Sequence, residues 1–211
     1  MKHVDPYAAL LSQAHELGVE LSQQAAASLL GYEDLLRDRA SGVGGVSTRD
    51  LEDPERLRLR HILDCLRAVR AISDQDRDAY DLGSGVGLPG IVVALARPSL
   101  SVRLVEPRRR RVAFVELAIE RLRLANVEVL ARRAETLTEP ADLCFARALA
   151  PPDRAWALAE PLLRPTGRLV YFAGAEGAPS PDEPGAPAQR LLAPEGPLLE
   201  SAGPLVIMAR E

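Results

Sequence analysis

The stretch Asp81-Leu82-Gly83-Ser84-Gly85-Val86-Gly87-Leu88-Pro89-Gly90 organises the fold of this chain. It joins a short apolar strand, 79–82, to a helix predicted over 89–97 with Pro89 at its first position. Alternating glycines permit positive φ and let a ligand touch bare backbone, while the start of the helix presents unpaired N–H groups. The loop is therefore predicted to bind a polar or anionic ligand.

The spacing of the loop glycines fits two classes of adenosine cofactor. One register satisfies the dinucleotide pattern, but the register that starts at Gly83 puts Leu88 where a third glycine is required. Asp81 before the first glycine and the proline after the loop look more like the Asp-x-Gly-x-Gly-x-Gly loop of S-adenosylmethionine-dependent methyltransferases. Glu106, at the end of the next predicted strand, could accept the ribose hydroxyls of either cofactor.

The composition indicates one globular domain with an extension. The 211 residues are 47% hydrophobic, and a net charge of −4 restricts any nucleic-acid binding to a local basic patch. No apolar run approaches the roughly 18 residues that span a bilayer, and the N-terminus lacks a secretory segment, so a cytoplasmic protein is indicated. The protein is expected to be a monomer. Cys65 and Cys144 are expected in the core, and no metal-ligand spacing is visible, so no metal is expected.

Residues 1–72 are predicted to form a helical extension packed on the core. Helices are expected from Asp5-Pro6 to Glu16, after Ser22, and over 54–69 after the cap residue Asp53, with loop between 40 and 47. In the third helix, His61 and Asp64 lie on one side, where they could hydrogen-bond each other.

Residues 73–211 alternate strands with helices, which predicts a mainly parallel sheet covered on both faces. The predicted strands are 79–82, 101–106, 127–130, 142–145, 168–173, 189–193 and 204–209, and the helices between them are 89–97, 108–124 and 153–163. Gly83, Glu106, Glu135 and Arg147 all fall just past strand ends, where ligands collect in such sheets. The proline-rich segment 174–188 is predicted to be a mobile loop.

Several segments together resemble one family, ribosomal RNA small subunit methyltransferase G, formerly called glucose-inhibited division protein B. The segments that carry the resemblance are Asp81 to Ile91 with its Gly-Leu-Pro-Gly-Ile ending, Leu104-Val105-Glu106-Pro107, Arg111-Val112-Ala113-Phe114, Arg133-Ala134-Glu135, Arg60-His61-Ile62-Leu63-Asp64 and Ala146-Arg147-Ala148. The match spans about 54 to 172. It implies a Rossmann-like seven-stranded α/β methyltransferase fold and methyl transfer from S-adenosylmethionine to guanine N7 in 16S ribosomal RNA of the small ribosomal subunit.

The resemblance and the loop pattern together assign candidate site residues. The cofactor-binding candidates are Asp81, Gly83, Ser84, Gly85, Gly87, Leu88, Glu106, Ala134, Glu135 and Arg147. The RNA-binding candidates are Arg60, His61, Asp64, Arg108, Arg109, Arg110, Arg111 and Arg133. No residue is assigned as a catalyst, because guanine N7 carries a lone pair and no proton, and Arg147 is the nearest candidate to the transferring methyl.

The arginine run 108–111 is the strongest local basic signal. Four cations at a helix N-terminus oppose the helix dipole, and none has a carboxylate three or four residues later. Phosphate binding would explain this placement, and a solvated helix face is the alternative.

Four departures from the family pattern place the substrate in more doubt than the fold. Gly45-Val46-Ser47 replaces Asn-Leu-Thr, Cys65 replaces the serine after Asp64, Ala173 replaces a lysine, and the basic C-terminal residues become Pro204 and Glu211. Two alternatives therefore stay open: a catalytically inactive homologue that binds RNA or assists ribosome assembly, and a nicotinamide oxidoreductase.

Overall fold

The computed structural model describes residues 5–174, 188–192, 199 and 202–210, and the strands among them form one sheet. Their bounds are β1 Asp78–Leu82, β2 Ser101–Val105, β3 Val127–Leu130, β4 Ala141–Arg147, β5 Leu163–Phe172, β6 Ala188–Leu192 and β7 Leu205–Ala209. They lie in the order β3-β2-β1-β4-β5-β7-β6, with β7 antiparallel to both neighbours and the other pairs parallel. The predicted seven-stranded α/β fold is confirmed.

Helices cover both faces of this sheet. They are α1 Pro6–Glu16, α2 Gln23–Arg39, α3 Thr48–Glu52, α4 Pro54–Leu57, α5 Asp64–Leu66, α6 Gly90–Ala96, α7 Arg109–Leu122 and α8 Pro152–Ala159. A π-helical turn, Arg58–Leu63, joins α4 to α5, and a 3₁₀ turn, Arg67–Ala71, follows α5, so that 54–71 is one continuous helical segment. Further 3₁₀ turns span Ala134–Thr136 and Glu160–Leu162.

Alternating side chains along each strand divide the core into two hydrophobic clusters. In β5, Val170 and Phe172 join the cluster beneath α1, α2, α6 and α7, while Leu169 and Tyr171 join the cluster beneath α8. This two-residue period follows from the pleat of the strands. The first cluster contains residues from the N-terminal helices and from the sheet alike. The division of the chain at residue 72 stays a prediction.

The helix caps form as the sequence predicts. Asp5 accepts a hydrogen bond from the backbone N–H of Tyr7, Ser22 from that of Ala25, and Asp53 from those of Glu55 and Arg56. Each side chain satisfies an N–H group that the first helical turn leaves unpaired.

Three local expectations differ from the structure. Pro89 precedes α6 rather than beginning it, since it is the cap residue, whose carbonyl accepts a hydrogen bond from the Val93 N–H. Helix α3 was not predicted. Strand β5 begins at Leu163, which pairs with Ala141 of β4, and not at the expected residue 168. Apart from its end residues, the segment 174–188 lies outside the described residues.

A buried ion pair ties α2 to the helical segment 54–71. Glu33 accepts two hydrogen bonds from the guanidinium of Arg58, at 2.9 Å from Nε and 2.7 Å from Nη2. The side chains of Arg58 and Glu33 are 15% and 6% exposed, so water screens the pair weakly. Parallel hydrogen bonds of this kind hold two elements in one orientation.

We expect Glu33→Gln to lower the free energy of unfolding by about 3 kcal/mol, because it leaves a mostly buried guanidinium without its counter-charge. Urea unfolding at pH 7 measures the change. The matched control is Asp34→Asn in the next position, whose carboxylate is 73% exposed and lies 3.7 Å from Arg37. That variant should stay within about 0.5 kcal/mol of the parent. Equal effects of the two substitutions would show that the Arg58 pair does not join the two helices.

Candidate functional site

The glycine loop between β1 and α6 has the backbone shape that its sequence requires. Gly83, Gly85 and Gly87 adopt φ angles of 70°, 61° and 94°, which residues with a Cβ rarely take. Gly90 has ordinary φ but no room, since a Cβ there would collide with the side chain of Leu104 and lie 2.8 Å from Asp81 Oδ2. The loop therefore passes directly against the sheet.

Asp81 anchors this loop from beneath. Its carboxylate is fully buried, and Oδ2 accepts a 2.8 Å hydrogen bond from the backbone N–H of Gly90. Burial raises the pKa of Asp81 to about 7, against the lowering effects of the Gly90 hydrogen bond and of Arg147. Its second oxygen, Oδ1, and the hydroxyl of buried Ser84 have no hydrogen-bond partner among the described residues. Such buried acceptors fit a ligand that brings its own donors.

Glu106 follows β2 and turns back to the same loop. Its side chain accepts hydrogen bonds from the backbone N–H groups of Gly85, at 3.2 Å, and Arg108, at 2.9 Å, and from Arg111 Nη1 at 3.2 Å. The carboxylate is 2% exposed. A carboxylate has about four acceptor positions, so one remains for a ligand hydroxyl in this arrangement.

Two cavities lie on either side of a short segment after β4, and both touch Ala150 and Pro151. The first, of about 320 Å³, is lined by Gly83, Ala134 and Glu135. The second, of about 570 Å³, is lined by His61, Asp64, Arg147, Tyr171, Phe172 and Gly174 among others. Leu149 lies over Gly83, such that a Cβ on the glycine would be 2.6 Å from Leu149 Cδ1. Of the sequence candidates, Gly83, Arg133, Ala134 and Glu135 thus line the first chamber, and His61, Asp64 and Arg147 line the second.

Arg147, at the end of β4, is held by the helical segment 54–71. Its Nε donates to Asp64 Oδ2 at 3.2 Å, and its Nη2 donates to the carbonyl of Arg60 at 2.8 Å and lies 3.4 Å from His61 Nδ1. Asp64 also accepts from Arg67 Nη2 at 2.5 Å. The hydrogen bond between His61 and Asp64 that the sequence allows does not form, because Asp64 is committed to these two arginines.

His61 bonds instead to a residue that the sequence reasoning missed. Its Nε2 lies 3.1 Å from Asp50 Oδ2, and both side chains are less than one-tenth exposed. Asp50 belongs to α3, whose cap residue Ser47 accepts from the Asp50 N–H at 3.1 Å. The run Ser47-Thr48-Arg49-Asp50 matches the capping pattern Ser-x-x-Asp, a signal that could have located this helix.

Tyr32 of α2 is a second residue that sequence reasoning missed. Its hydroxyl donates a 2.6 Å hydrogen bond to the carbonyl of Val86 inside the glycine loop. The side chain is fully buried, and burial raises its pKa well above the usual value, so it stays a donor. The N-terminal helices therefore contact the site directly.

The arginine run divides into exposed and engaged members. Arg108, Arg109 and Arg110 are exposed, as are Arg132 and Arg133 near the first cavity. Arg111 is half-buried and paired with Glu106, which lies five residues before it. The assignment of the run to phosphate stays a prediction, and for Arg111 the structure adds that its charge is already opposed by a buried carboxylate.

The described residues contain no cluster of three or more His, Cys, Asp or Glu side chains arranged to hold a metal ion. Within the same residues, no helix combines the length and the apolar character that a bilayer span requires. Cys65 and Cys144 are both free thiols in the core, as predicted.

The sheet order, the glycine loop and the acidic residues Asp81 in β1 and Glu106 after β2 define the fold of the S-adenosylmethionine-dependent methyltransferases. A variant of MtNAS in complex with S-adenosylmethionine superposes with a TM-score of 0.59 at 16% identity, over 90% of this chain and 77% of that one. A SAM-dependent methyltransferase from Aquifex aeolicus gives 0.55 at 18% identity, over 76% of this chain and 95% of that one. At such identities the likeness shows the fold alone.

The chain belongs to the rRNA small subunit methyltransferase G family, GidB, whose family model matches residues 27–180. The relative named ribosomal RNA small subunit methyltransferase G from Thermobifida fusca is 41% identical over 145 residues, 68% of this chain and 60% of that protein. The relative of the same name from Salinispora arenicola is 46% identical over 141 residues, which are 63% of this chain and 58% of that protein. The one from Acidiphilium cryptum is 36% identical over 166 residues, which are 79% of this chain and 76% of that protein. The alignments thus span about 60% of the first two relatives.

The buried Asp81 carboxyl gives the cofactor-free protein a characteristic pH dependence. Its pKa rises from 3.8 to about 7 on folding, so the folded state holds a proton that the unfolded chain has lost between those values. Stability from this group is therefore present at low pH and falls as pH rises, by about 3 kcal/mol between pH 5 and pH 8. Urea unfolding at the two pH values should show this fall in the parent but not in Asp81→Asn. The control Asp153→Asn, at an exposed position, should keep it. An unchanged fall in Asp81→Asn would contradict the raised pKa.

Proposed function

We propose that this chain is an S-adenosylmethionine-dependent methyltransferase that methylates guanine N7 in 16S ribosomal RNA. The observation that carries the proposal is the coincidence of the family match with a site whose buried acceptors lack partners. The family model covers the glycine loop, Glu106, Glu135 and Arg147. Gly83 and Glu135 line the first cavity, Arg147 lines the second, and Glu106 accepts a hydrogen bond from Gly85 in the loop.

The adenosine half of the cofactor fits the first cavity. Ala134 and Glu135 line it together with Gly83, and Leu88 lies buried beside the same loop. Glu106 is assigned to the ribose, since ionised carboxylates accept strongly from hydroxyls. One ribose hydroxyl can use the acceptor position that remains on Glu106, and a second would share or displace the contact with Gly85 or Arg111.

The amino-acid half fits the unpartnered acceptors. Asp81 Oδ1 and Ser84 Oγ are the buried oxygens of this loop that lack a donor among the described residues. An ammonium group would supply donors and would favour the ionised form of Asp81, reversing the effect of burial on its pKa. When bound, S-adenosylmethionine supplies a methyl group on a positively charged sulfur.

The second cavity suits the target base. Tyr171 and Phe172 give it apolar walls, and Arg147, His61 and Asp64 give it polar ones. Guanine N7 needs no general base, so the task of these residues is to orient the base and exclude water. Orientation of two reactants is worth about 7–11 kcal/mol at best, which suffices for a large rate enhancement.

RNA backbone contacts are assigned to exposed arginines on the rim. Arg108, Arg109 and Arg110 lie at the start of α7, and Arg133 borders the first cavity. The overall charge of −4 does not attract RNA, so this local group must do so. Ala173, where the family carries lysine, is buried, and its N–H donates to the carbonyl of Pro204. Glu211 lies outside the described residues. Weak, salt-sensitive RNA binding is therefore expected.

The test of the function is methyl transfer from radiolabelled S-adenosylmethionine to undermethylated small ribosomal subunits, followed by mapping of the labelled nucleotide. We expect label at guanine N7.

Glu106→Gln should weaken cofactor binding in calorimetry about ten- to a hundredfold, because it weakens charge-assisted hydrogen bonds. Glu116→Gln, on the exposed side of α7, is the matched control and should bind like the parent.

The outcomes separate the alternatives. Label on adenine or cytosine would refute the N7 assignment. Cofactor binding without transfer at any salt concentration would favour the inactive RNA-binding homologue. Tight NADH binding in the absence of S-adenosylmethionine binding would favour the oxidoreductase.

The exposed arginines predict the salt dependence of RNA affinity. Replacing Arg109 and Arg110 together by Gln should reduce the slope of log affinity against log salt by about 1.4 to 1.8 units, since each phosphate contact contributes about 0.7 to 0.9. Filter binding across a salt series measures the slope. Arg121 and Arg123, at the other end of α7, are likewise exposed and serve as the control pair. Equal slopes for both double variants would leave the run as a solvated helix face.

A further inference from the structure

Asp50 is the buried acid behind the second cavity. It lies in α3, and its carboxylate is 7% exposed. Oδ1 accepts from Arg56 Nε at 3.2 Å and pairs with Nη2 at 3.1 Å, while Oδ2 faces His61 Nε2 at 3.1 Å. Burial acts to raise the pKa of Asp50, but hydrogen bonds with His61, Ser47 and Arg56 together hold it below its usual value. Asp50 is therefore a fixed anion that accepts hydrogen bonds and donates none.

These contacts decide which nitrogen of His61 carries the proton. An ionised carboxylate only accepts, so Nε2 must donate to Asp50. A guanidinium only donates, so Nδ1, 3.4 Å from Arg147 Nη2, must be the accepting nitrogen. Both neighbours select the same neutral tautomer, with the proton on Nε2 and the lone pair of Nδ1 towards Arg147.

We propose that Asp50 is a positioning residue, which holds His61 in the Nε2–H tautomer and thereby fixes the guanidinium of Arg147 at the wall of the second cavity. The chain of contacts runs from α3 through the helical segment 54–71 to the end of β4. Asp64 holds the other side of the same guanidinium, at 3.2 Å from Nε. The mechanical part of the inference rests on the geometry alone. Its catalytic part rests on the proposed function, in which this cavity receives the target base.

Protonation of His61 would undo this arrangement. The protonated ring has two N–H donors, so Nδ1 would present a proton and a positive charge to Arg147. The charged groups facing the ring are Asp50 from α3, Asp64 from its own helical segment, and Arg147 from β4, with Arg56 behind Asp50. Burial and Arg147 lower the pKa of His61, and the two carboxylates act against this lowering. The neutral tautomer therefore persists at neutral pH.

Histidine ¹⁵N chemical shifts test the mechanical part without any assay of activity. The chain has three histidines, His3, His15 and His61, so selectively labelled protein gives few and separable signals. We expect His61 to show an unprotonated Nδ1 at pH 8 and a pKa below the usual value for histidine. Asp50→Asn keeps an oxygen that can accept from Nε2 and should preserve the tautomer. In this variant the pKa of His61 should fall further, because the carboxylate charge that favours the protonated ring is gone.

Asp50→Ala removes the acceptor that holds the His61 ring in place, so that the ring can move away from Arg147 and lose the second contact as well; we then expect a mixture of His61 tautomers. The matched control is Asp53→Asn, three residues away, whose carboxylate caps α4 and does not contact His61. It should leave the His61 signals unchanged. A proton on Nδ1 in the parent at pH 8, or an identical His61 titration in Asp50→Asn, would overturn the proposal. The parent spectrum alone decides the tautomer, whether or not the variants fold.

Methyl-transfer kinetics test the catalytic part at pH 8. We expect Asp50→Ala to lower kcat by about tenfold or more through misplacement of Arg147, with the KM for S-adenosylmethionine within about twofold. Asp50→Asn should recover most of kcat, and Asp53→Asn should match the parent. An unchanged kcat in folded Asp50→Ala would overturn the catalytic part. A parent with the expected tautomer but no methyl transfer would contradict the proposed function and leave the tautomer result standing.

Discussion

The hydrogen bond from the Gly90 N–H to the buried Asp81 carboxylate is the constraint on which the site depends. It ties the first residue of α6 to the end of β1 across the glycine loop, and no water competes with it. The N–H groups of the loop glycines are held within the protein as well, that of Gly85 by the Glu106 carboxylate. Burying the acid carries a cost in stability at neutral pH, a common feature of sites prepared for a ligand.

The N-terminal helices take part in the site rather than only covering the sheet. Tyr32 holds the carbonyl of Val86 in the loop, Glu33 fixes Arg58, and Asp50 reaches His61. The first contact joins α2 to the glycine loop, and the other two join α2 and α3 to the helical segment 54–71. Loss of these helices would therefore disturb ligand binding as well as stability.

The sequence predicted the elements well because their signals are local. Strand alternation, capping side chains and the glycine spacing each act within a few residues, and β1 to β4 fall within three residues of their expected bounds. The partners of His61 and Arg111 could not be obtained in this way. Asp50 meets His61 only because α3 packs against the helical segment 54–71, and Arg111 meets Glu106 only because the chain turns back after β2. The spacing of side chains three or four residues apart on one helix predicts contacts within that helix only, and not contacts between separate elements.

The segment 148–151 forms a partition with a chamber on each side. Ala148 adopts a left-handed φ of 52°, Leu149 covers Gly83, and Ala150 and Pro151 border both cavities. The other lining residues belong to one chamber only, so a substitution at Phe172 can reshape the second chamber without touching the first, whereas Tyr171 donates a hydrogen bond to the carbonyl of Ala150 in the partition. The partition makes the two recognition tasks separable, so that one half of the site can change its preference over evolutionary time while the other keeps its ligand.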